Sequence, residues 1–275
     1  MLFVRALLVA LVAASGVCSH AMSLDAAIAG AHRDPANVAR DPYRHPKETL
    51  QFFGLEPDMT VVEVWPGGGW WTEILAPVLR DDGSYVAAGF VTETPTAPAY
   101  YKNLQTALAK KLASQPLYDH ALLTELGVPD HTEVVPDGTA DLVLTFRNVH
   151  NWFAADNAEA MFRAFAKMLK PGGVLGVEEH RAKEGTSLDV MKKSGYMTEA
   201  KVIELATQAG FTLDAKSEVN ANPNDTADYP DGVWTLPPNL AACRKLTGAE
   251  QEACNAKYRA IGESDRMTMR FKKPG

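Results

Sequence analysis

The sequence predicts an α/β protein with a seven-stranded, mostly parallel sheet and helices on both of its faces. Three observations predict it. From residue 59 onward, short apolar runs alternate with amphipathic helical segments, the order that builds βαβ units. The run Val61-Val62-Glu63-Val64 leads through Trp65-Pro66 into Gly67-Gly68-Gly69. A strand, a tight glycine turn and a helix N-terminus let backbone N–H groups approach a ligand closely. The run Asp141–Phe146 is almost wholly apolar, as suits a parallel strand covered on both faces.

The first residues read as an export signal, spanning 1–21. Arg5 supplies the positive start, Ala6–Ala14 is apolar but too short to span a bilayer, and Ser19-His20-Ala21 offers small residues at the −3 and −1 positions of a cleavage site. Cys18 raises a lipoprotein alternative, but Val17 is a poor match for the small residue such a site wants. Export to the periplasm is therefore expected, and no later run is long and apolar enough for a membrane helix. Cys243 and Cys254 remain after cleavage. In an oxidising compartment they are expected to pair, the alternative being two separate buried thiols.

Residues 22–58 read as an N-terminal cap, punctuated by Asp34-Pro35, Asp41-Pro42 and His45-Pro46. Lys47 to Gly54 is expected to form a short helix with Gly54 at its end. Arg40, Asp41, Arg44 and His45 make a dense polar cluster, either a solvated loop with local ion pairs or a lid over a site. The main domain, 59–275, then runs strand Met59–Val64, helix Trp70–Leu79 with Pro77 inside it, strand Ser84–Phe90, helix Tyr100–Leu112, short strand His131–Val135 and strand Asp141–Phe146. Helix Asn157–Leu169 places Met161, Phe165, Met168 and Leu169 on one face. Pro171-Gly172-Gly173 stops it before strand Val174–Glu179. Helix Thr198–Ala209 and strands Phe211–Val219 and Arg266–Phe271 follow, the last expected to insert antiparallel. An insertion at about 220–263, rich in Asn, Asp and Pro, interrupts the domain, and a stretch this long is usually functional or a small subdomain.

Sheets of this type bind ligands beyond the carboxyl ends of their strands, at the point where strand order reverses. Trp65–Gly69, Gly89–Thr92, Arg147–Trp152 and Glu179–Arg181 should therefore converge. A composition that is 46% hydrophobic and 22% charged is that of an ordinary globular chain. The net charge of −7 argues against a general nucleic-acid binder. Neither a Gly-x-Ser-x-Gly elbow nor a lysine-bearing phosphate loop occurs, which argues against a hydrolase or NTPase.

The ordered segments resemble the class I S-adenosylmethionine-dependent methyltransferases over roughly residues 47–219 and the final strand. Glu63-Val64-Trp65-Pro66-Gly67-Gly68-Gly69 corresponds to their acidic first motif, Asp141-Leu142-Val143-Leu144 to the fourth-strand motif, and Leu169-Lys170-Pro171-Gly172-Gly173 to the turn before the fifth strand. More closely, Trp65-Pro66-Gly67-Gly68-Gly69-Trp70, Thr145-Phe146-Arg147-Asn148-Val149-His150-Asn151-Trp152 and Gly262-Glu263-Ser264-Asp265-Arg266 are similar to a group of exported proteins of that type. The resemblance implies a Rossmann-like methyltransferase fold, S-adenosylmethionine as cofactor and a small-molecule acceptor. It places Glu63, Trp65, Gly67, Gly68, Gly69, Trp70, Gly89 and Asn148 at the cofactor. Two positions depart from the pattern. Trp65 stands where a glycine is usual, and Gly89 where an acid normally holds the ribose hydroxyls, with Glu93 four residues on as a substitute.

Among residues suited to chemistry, His150 follows a buried strand at the cleft mouth and is the candidate general base. An N-capping or loop-bracing role is the alternative. Arg147, Asn151, Trp152, His180 and Arg181 are candidate substrate contacts, and Trp70, Trp71 and Trp152 could wall an adenine or aromatic pocket. His150, His180 and a carboxylate would make a metal triad if brought together, although no metal is expected from their spacing. Besides methyl transfer, the sequence leaves open an exported ligand-binding protein without catalysis, motivated by the cytosolic origin of the methyl donor and by Gly89, and an enzyme of another class using a metal between His150 and His180.

Overall fold

The computed structural model describes residues 21–94 and 97–275. The export signal expected at 1–21 thus lies, Ala21 apart, outside the described residues. Among the described residues no helix is long and apolar enough to cross a membrane.

The cap consists of helices α1 (Leu24–Ile28), α2 (Pro35–Val38), α3 (Asp41–Arg44) and α4 (Pro46–Phe53). Strand β1 (Thr60–Val64) feeds α5 (Thr72–Leu79), and β2 (Ser84–Gly89) feeds α6 (Ala99–Leu112). Strands β3 (Leu122–Glu125) and β4 (Ala140–Phe146) follow, then α7 (Val149–Ala154), α8 (Ala158–Met168) and β5 (Leu169–His180). Helices α9 (Leu188–Ser194) and α10 (Glu199–Gln208) lead to β6 (Thr212–Ser217), and α11 (Gly248–Arg259) precedes β7 (Arg266–Lys272).

The seven strands lie in the order β3-β2-β1-β4-β5-β7-β6. All pairs are parallel except those of β7, which runs antiparallel to β5 and β6. The order reverses between β1 and β4, so the carboxyl ends of those strands flank the cleft. Alternation along each strand separates two cores. Val62, Val64, Val86, Val143 and Val177 pack with Phe162 and Phe165 of α8 and with Leu205 of α10 on one face. Val61, Leu142 and Leu144 pack with Ile74 and Leu75 of α5, Leu108 of α6 and Phe53 of α4 on the other.

Pro77 sits inside α5, where it cannot donate to the Glu73 carbonyl four residues earlier. His32 of the cap meets that oxygen through Nε2 at 2.8 Å. The cap is thereby tied to the helix after the glycine turn. In the insertion, two 3₁₀ turns (Gly232–Thr235 and Cys243–Lys245) precede α11, and Cys243 is disulfide-bonded to Cys254.

The structure corrects the element map in three places. The third strand is Leu122–Glu125, paired with β2, and not His131–Val135. His131 forms only a two-residue bridge to Gly127, and Val134 is buried against the core without a ladder partner. Hydrophobicity at 131–135 therefore reports burial, not pairing. Residues 149–154, expected as a loop, form α7, and α9 had no sequence counterpart. Thirdly, β5 extends back to Leu169, which pairs with Ala140 before a bulge resumes the ladder at Val174.

Candidate active site

A cleft of 490 Å³ opens at the reversal point between β1 and β4. Its floor is the glycine turn. Trp65, Gly67 and Gly69 all take positive φ (49°, 59° and 77°), a region open to glycine and strained for tryptophan. Gly67 and Gly68 line the cleft, and a Cβ at either would meet nothing within 4 Å. Their backbone is thus open to a ligand. Gly69 faces the other way, toward Leu108 and Lys111 of α6.

The Trp65 strain is matched by anchoring. Its indole N–H donates to the Leu126 carbonyl at 2.9 Å, and its ring packs against Phe90, Tyr101 and Trp152. Glu63, fully buried beneath the turn, accepts hydrogen bonds from Tyr85 Oη at 2.5 Å and Thr72 Oγ1 at 3.0 Å. Burial raises its carboxyl to about 7 against those two bonds.

At the end of β2 the position of the usual ribose acid is covered. A Cβ on Gly89 would lie 2.0 Å from Gln105 Oε1, which accepts from the Phe90 N–H at 3.2 Å. Glu93 is solvent-exposed, 3.9 Å from Lys102, and does not line the cleft.

At the end of β4, Asn148 Nδ2 donates to the Val64 carbonyl at 3.0 Å and to Thr145 Oγ1 at 3.2 Å, tying β4 to β1. Arg147 takes a positive φ of 61° and donates its N–H to the Glu178 carbonyl of β5 at 2.7 Å. Next in the chain, the first turn of α7 presents His150. Its Nδ1 lies 3.0 Å from Glu179 Oε1, and its backbone N–H donates to Glu179 Oε2 at 3.1 Å. A carboxylate only accepts, so Nδ1 carries a proton, and in the neutral imidazole Nε2 then keeps the lone pair. His180 stands beside it, ring centroids 5.1 Å apart, with Nδ1 at 2.6 Å from Ser264 Oγ. Burial, then the charges of His150, Arg147, Arg266 and Arg44, push the His180 imidazole well below its ordinary range. It is a neutral ring at neutral pH.

His150, Glu179 and His180 offer ligand atoms within 4.8 Å of one another, close enough for a metal ion. Both Glu179 oxygens already accept N–H groups, from His150 twice and from His180 once. The bonding displayed is that of a carboxylate-oriented histidine.

The remaining wall comes from distant segments. Arg40 and Arg44 of the cap line the cleft with Glu263 and Ser264 from the end of the insertion and Val233, Trp234 and Asn239 from its middle. Glu263 lies 2.6 Å from Arg40 Nε, 3.2 Å from Arg44 Nε, 3.2 Å from Arg266 Nη1 and 3.8 Å from Arg147 Nη1. Burial alone would raise this carboxyl. The four arginine charges outweigh it and hold Glu263 at about 2.

Of the residues singled out in the sequence, Glu63, Trp65, Gly67, Gly68, Trp70, Trp71, Arg147, Asn148, His150, Asn151 and His180 line the cleft. Four do not. Gly69 and Gly89 are turned toward α6 side chains. Trp152 is fully buried between Trp65 and Phe165. Arg181 is held by Asp265, Glu199 and Glu218, because alternation on β5 sends it away from His180. The polar cluster at residues 40–45 is a wall of the site, not a solvated loop, since Arg44 is 1% exposed. Arg40 and Arg44 thus follow the lid alternative read from that cluster, and Glu263 is a site residue to which sequence reasoning gave no role. Their signals were that cluster and the Gly262–Arg266 motif.

No protein-family model matches the chain, and no curated protein matches it in sequence. Solved structures do match its fold. The (4+2)-cyclase SpnF superposes with a TM-score of 0.55 at 16% identity, over 84% of this chain and 80% of that one. A cyclopropane-fatty-acyl-phospholipid synthase-like protein from Lactobacillus casei gives 0.54 at 14% identity, over 90% and 98%. A SAM-dependent methyltransferase from Aquifex aeolicus gives 0.50 at 20% identity, over 68% and 94%. With the strand order and glycine turn described above, these likenesses show that the chain has the Rossmann-like fold of the class I S-adenosylmethionine-dependent methyltransferases.

Proposed function

We propose that this protein is an exported methyltransferase that uses S-adenosylmethionine to methylate a small molecule, with His150 as general base. The observation that carries the reading is the pairing, across one cleft, of the open Gly67-Gly68 backbone with the Glu179-oriented His150.

The cofactor fits the turn side of the cleft. Gly67 and Gly68 leave space that a Cβ would fill, and Glu63, Trp65, Trp70 and Asn148 surround it. A volume of 490 Å³ is in the range of small-molecule sites. When bound there, the sulfonium cofactor supplies an electrophilic methyl group. The chain's own part is positioning and proton removal. Arg147, Asn151 and His180 face the acceptor side, and His150 Nε2 takes the proton of the acceptor's nucleophile while Glu179 steadies the imidazolium formed. Export is supported by the residue 1–21 pattern and by the Cys243–Cys254 disulfide, a bond at home in an oxidising compartment.

One observation favours a second reading, a ligand-binding protein without methyl transfer. Gln105 covers the position from which an acid would hold the ribose. Calorimetric titration of the mature chain with S-adenosylmethionine and S-adenosylhomocysteine separates the two. Binding of both is expected; no heat at about 1 mM of either, an affinity weaker than about −4 kcal/mol, overturns the methyltransferase reading and leaves the second.

A further inference from the structure

We infer that the acceptor carries an oxyanion, a carboxylate or a phosphate, seated on an arginine cluster at the β5 side of the cleft. The inference rests on the methyltransferase reading and names its substrate class.

Four guanidinium groups meet on Glu263 from three separate parts of the chain: Arg40 and Arg44 from the cap and Arg147 after β4, which line the cleft, and Arg266 at the start of β7, which is buried and does not line it. Two carboxylates answer them. Glu263 contacts all four, and Glu178 lies 3.0 Å from Arg266 Nη1. Four positive charges against two negative ones leave an excess of two. Among the described residues no other acid pairs with these guanidinium groups: Glu73 pairs with Lys111 and Arg33, and burial raises the Glu63 carboxyl to about 7. Glu179 bonds His150 and the His180 N–H, which does not cancel its charge, so counting it leaves an excess of one.

The donors are also incomplete. Arg40 Nη2, Arg44 Nη2, Arg147 Nε and Arg266 Nε are buried without a hydrogen-bond partner among the described residues. Buried charge without a partner is costly, and guanidinium forks match carboxylate and phosphate oxygens in pairs. Arg147 is the freest of the four. Among the described residues its one ion pair with an acid is the 3.8 Å approach to Glu263. A positive φ, unusual for a residue with a side chain, sets it at the cleft wall.

The cluster adjoins the base. Ser264, next to Glu263, bonds His180 Nδ1, and His180 stands against His150. Within the cluster, Arg44 lies over the Trp70 ring at the end of the glycine turn, 4.7 Å from its centroid, whereas the Arg147 backbone is bonded to β5. Arg147 is therefore the arginine assigned to the acceptor, and competition with the cofactor product is the outcome that decides it.

The test is calorimetry of the full mature chain, saturated with S-adenosylhomocysteine, titrated with inorganic phosphate and separately with acetate. At least one should bind with the cofactor product still in place. Arg147→Gln should weaken that binding about ten-fold or more and change the S-adenosylhomocysteine affinity by less than about three-fold. Arg147→Gly, which suits the positive φ, should lose anion binding in the same way and guards against a folding defect in the Gln variant. Competition between either anion and S-adenosylhomocysteine would show that the arginines hold the cofactor's own carboxylate and would overturn the inference. So would the lack of binding of both anions at about 50 mM. If S-adenosylhomocysteine fails to bind but an Arg147-dependent anion site remains, the methyltransferase reading falls and the oxyanion seat stands.

Discussion

At His150, Glu179 holds Nδ1 and leaves Nε2 to the proposed proton transfer. Replacing His150 by Gln should lower turnover by about 10²- to 10⁴-fold, the usual worth of a positioned base, while S-adenosylhomocysteine affinity stays unchanged. A rate-against-affinity comparison checks it; equal losses in both would mark the residue as structural. Glu263 and Glu63 carry opposite linkages to pH. Glu263 sits at about 2 against an ordinary 4.5, so it stabilises the fold above pH 4.5, and that contribution is lost as pH falls toward 2. Its size is roughly 3 kcal/mol for a shift of that order. Glu63 is raised from 4.5 to about 7, so it is harmless in acid and costs stability as pH rises through that window, again by roughly 3 kcal/mol. Urea melts across pH should show Glu263→Gln losing stability most near neutrality. Glu63→Gln should gain relative to the parent at about pH 8 and gain nothing at about pH 4.

The elements around the glycine turn show what a local pattern encodes. The strand-to-turn signal at Val61–Gly69 is legible because apolar alternation and glycine content are properties of neighbouring residues. The facing of each glycine is not. Gly69 turns to α6 while Gly67 and Gly68 meet the cleft, a matter of dihedral angles set by the whole βα unit. The same holds at the end of β2, where Gly89 is visible in the sequence but its occupant, Gln105, comes from α6. Gly89→Asp alone should bind S-adenosylmethionine no better than the parent, since its side chain meets Gln105. Combined with Gln105→Ala it should bind about ten- to a hundred-fold tighter, the worth of a charge-assisted hydrogen-bond pair. Calorimetry of the two variants decides it, and equal affinity would show that the ribose does not reach β2. The misplaced third strand has the same lesson. His131–Val135 and Leu122–Glu125 are both short and apolar in part, and only pairing with β2 distinguishes them.

Across the whole molecule, the insertion at 220–263 is held by the Cys243–Cys254 disulfide and returns Glu263 to the cleft. Reduction, or the pair Cys243→Ser with Cys254→Ser, should lower stability by about 3 kcal/mol, the loop-closure estimate for a bridge spanning 11 residues. Urea denaturation with and without reductant measures it; no change in midpoint would place the insertion outside the cooperative unit. The sequence by itself determined the alternation of strands and helices, the glycine turn and the segment that presents His150. All of these are written in spacing along a few neighbouring residues, where backbone dihedrals and side-chain periodicity act. Only the tertiary structure decided that Glu179 orients His150, that Arg181 turns away from the cleft, and that Arg40, Arg44, Arg147 and Arg266 converge on Glu263. Those partners stand as much as 223 residues apart, and attraction between charges depends on distance through space, which the order of residues does not contain.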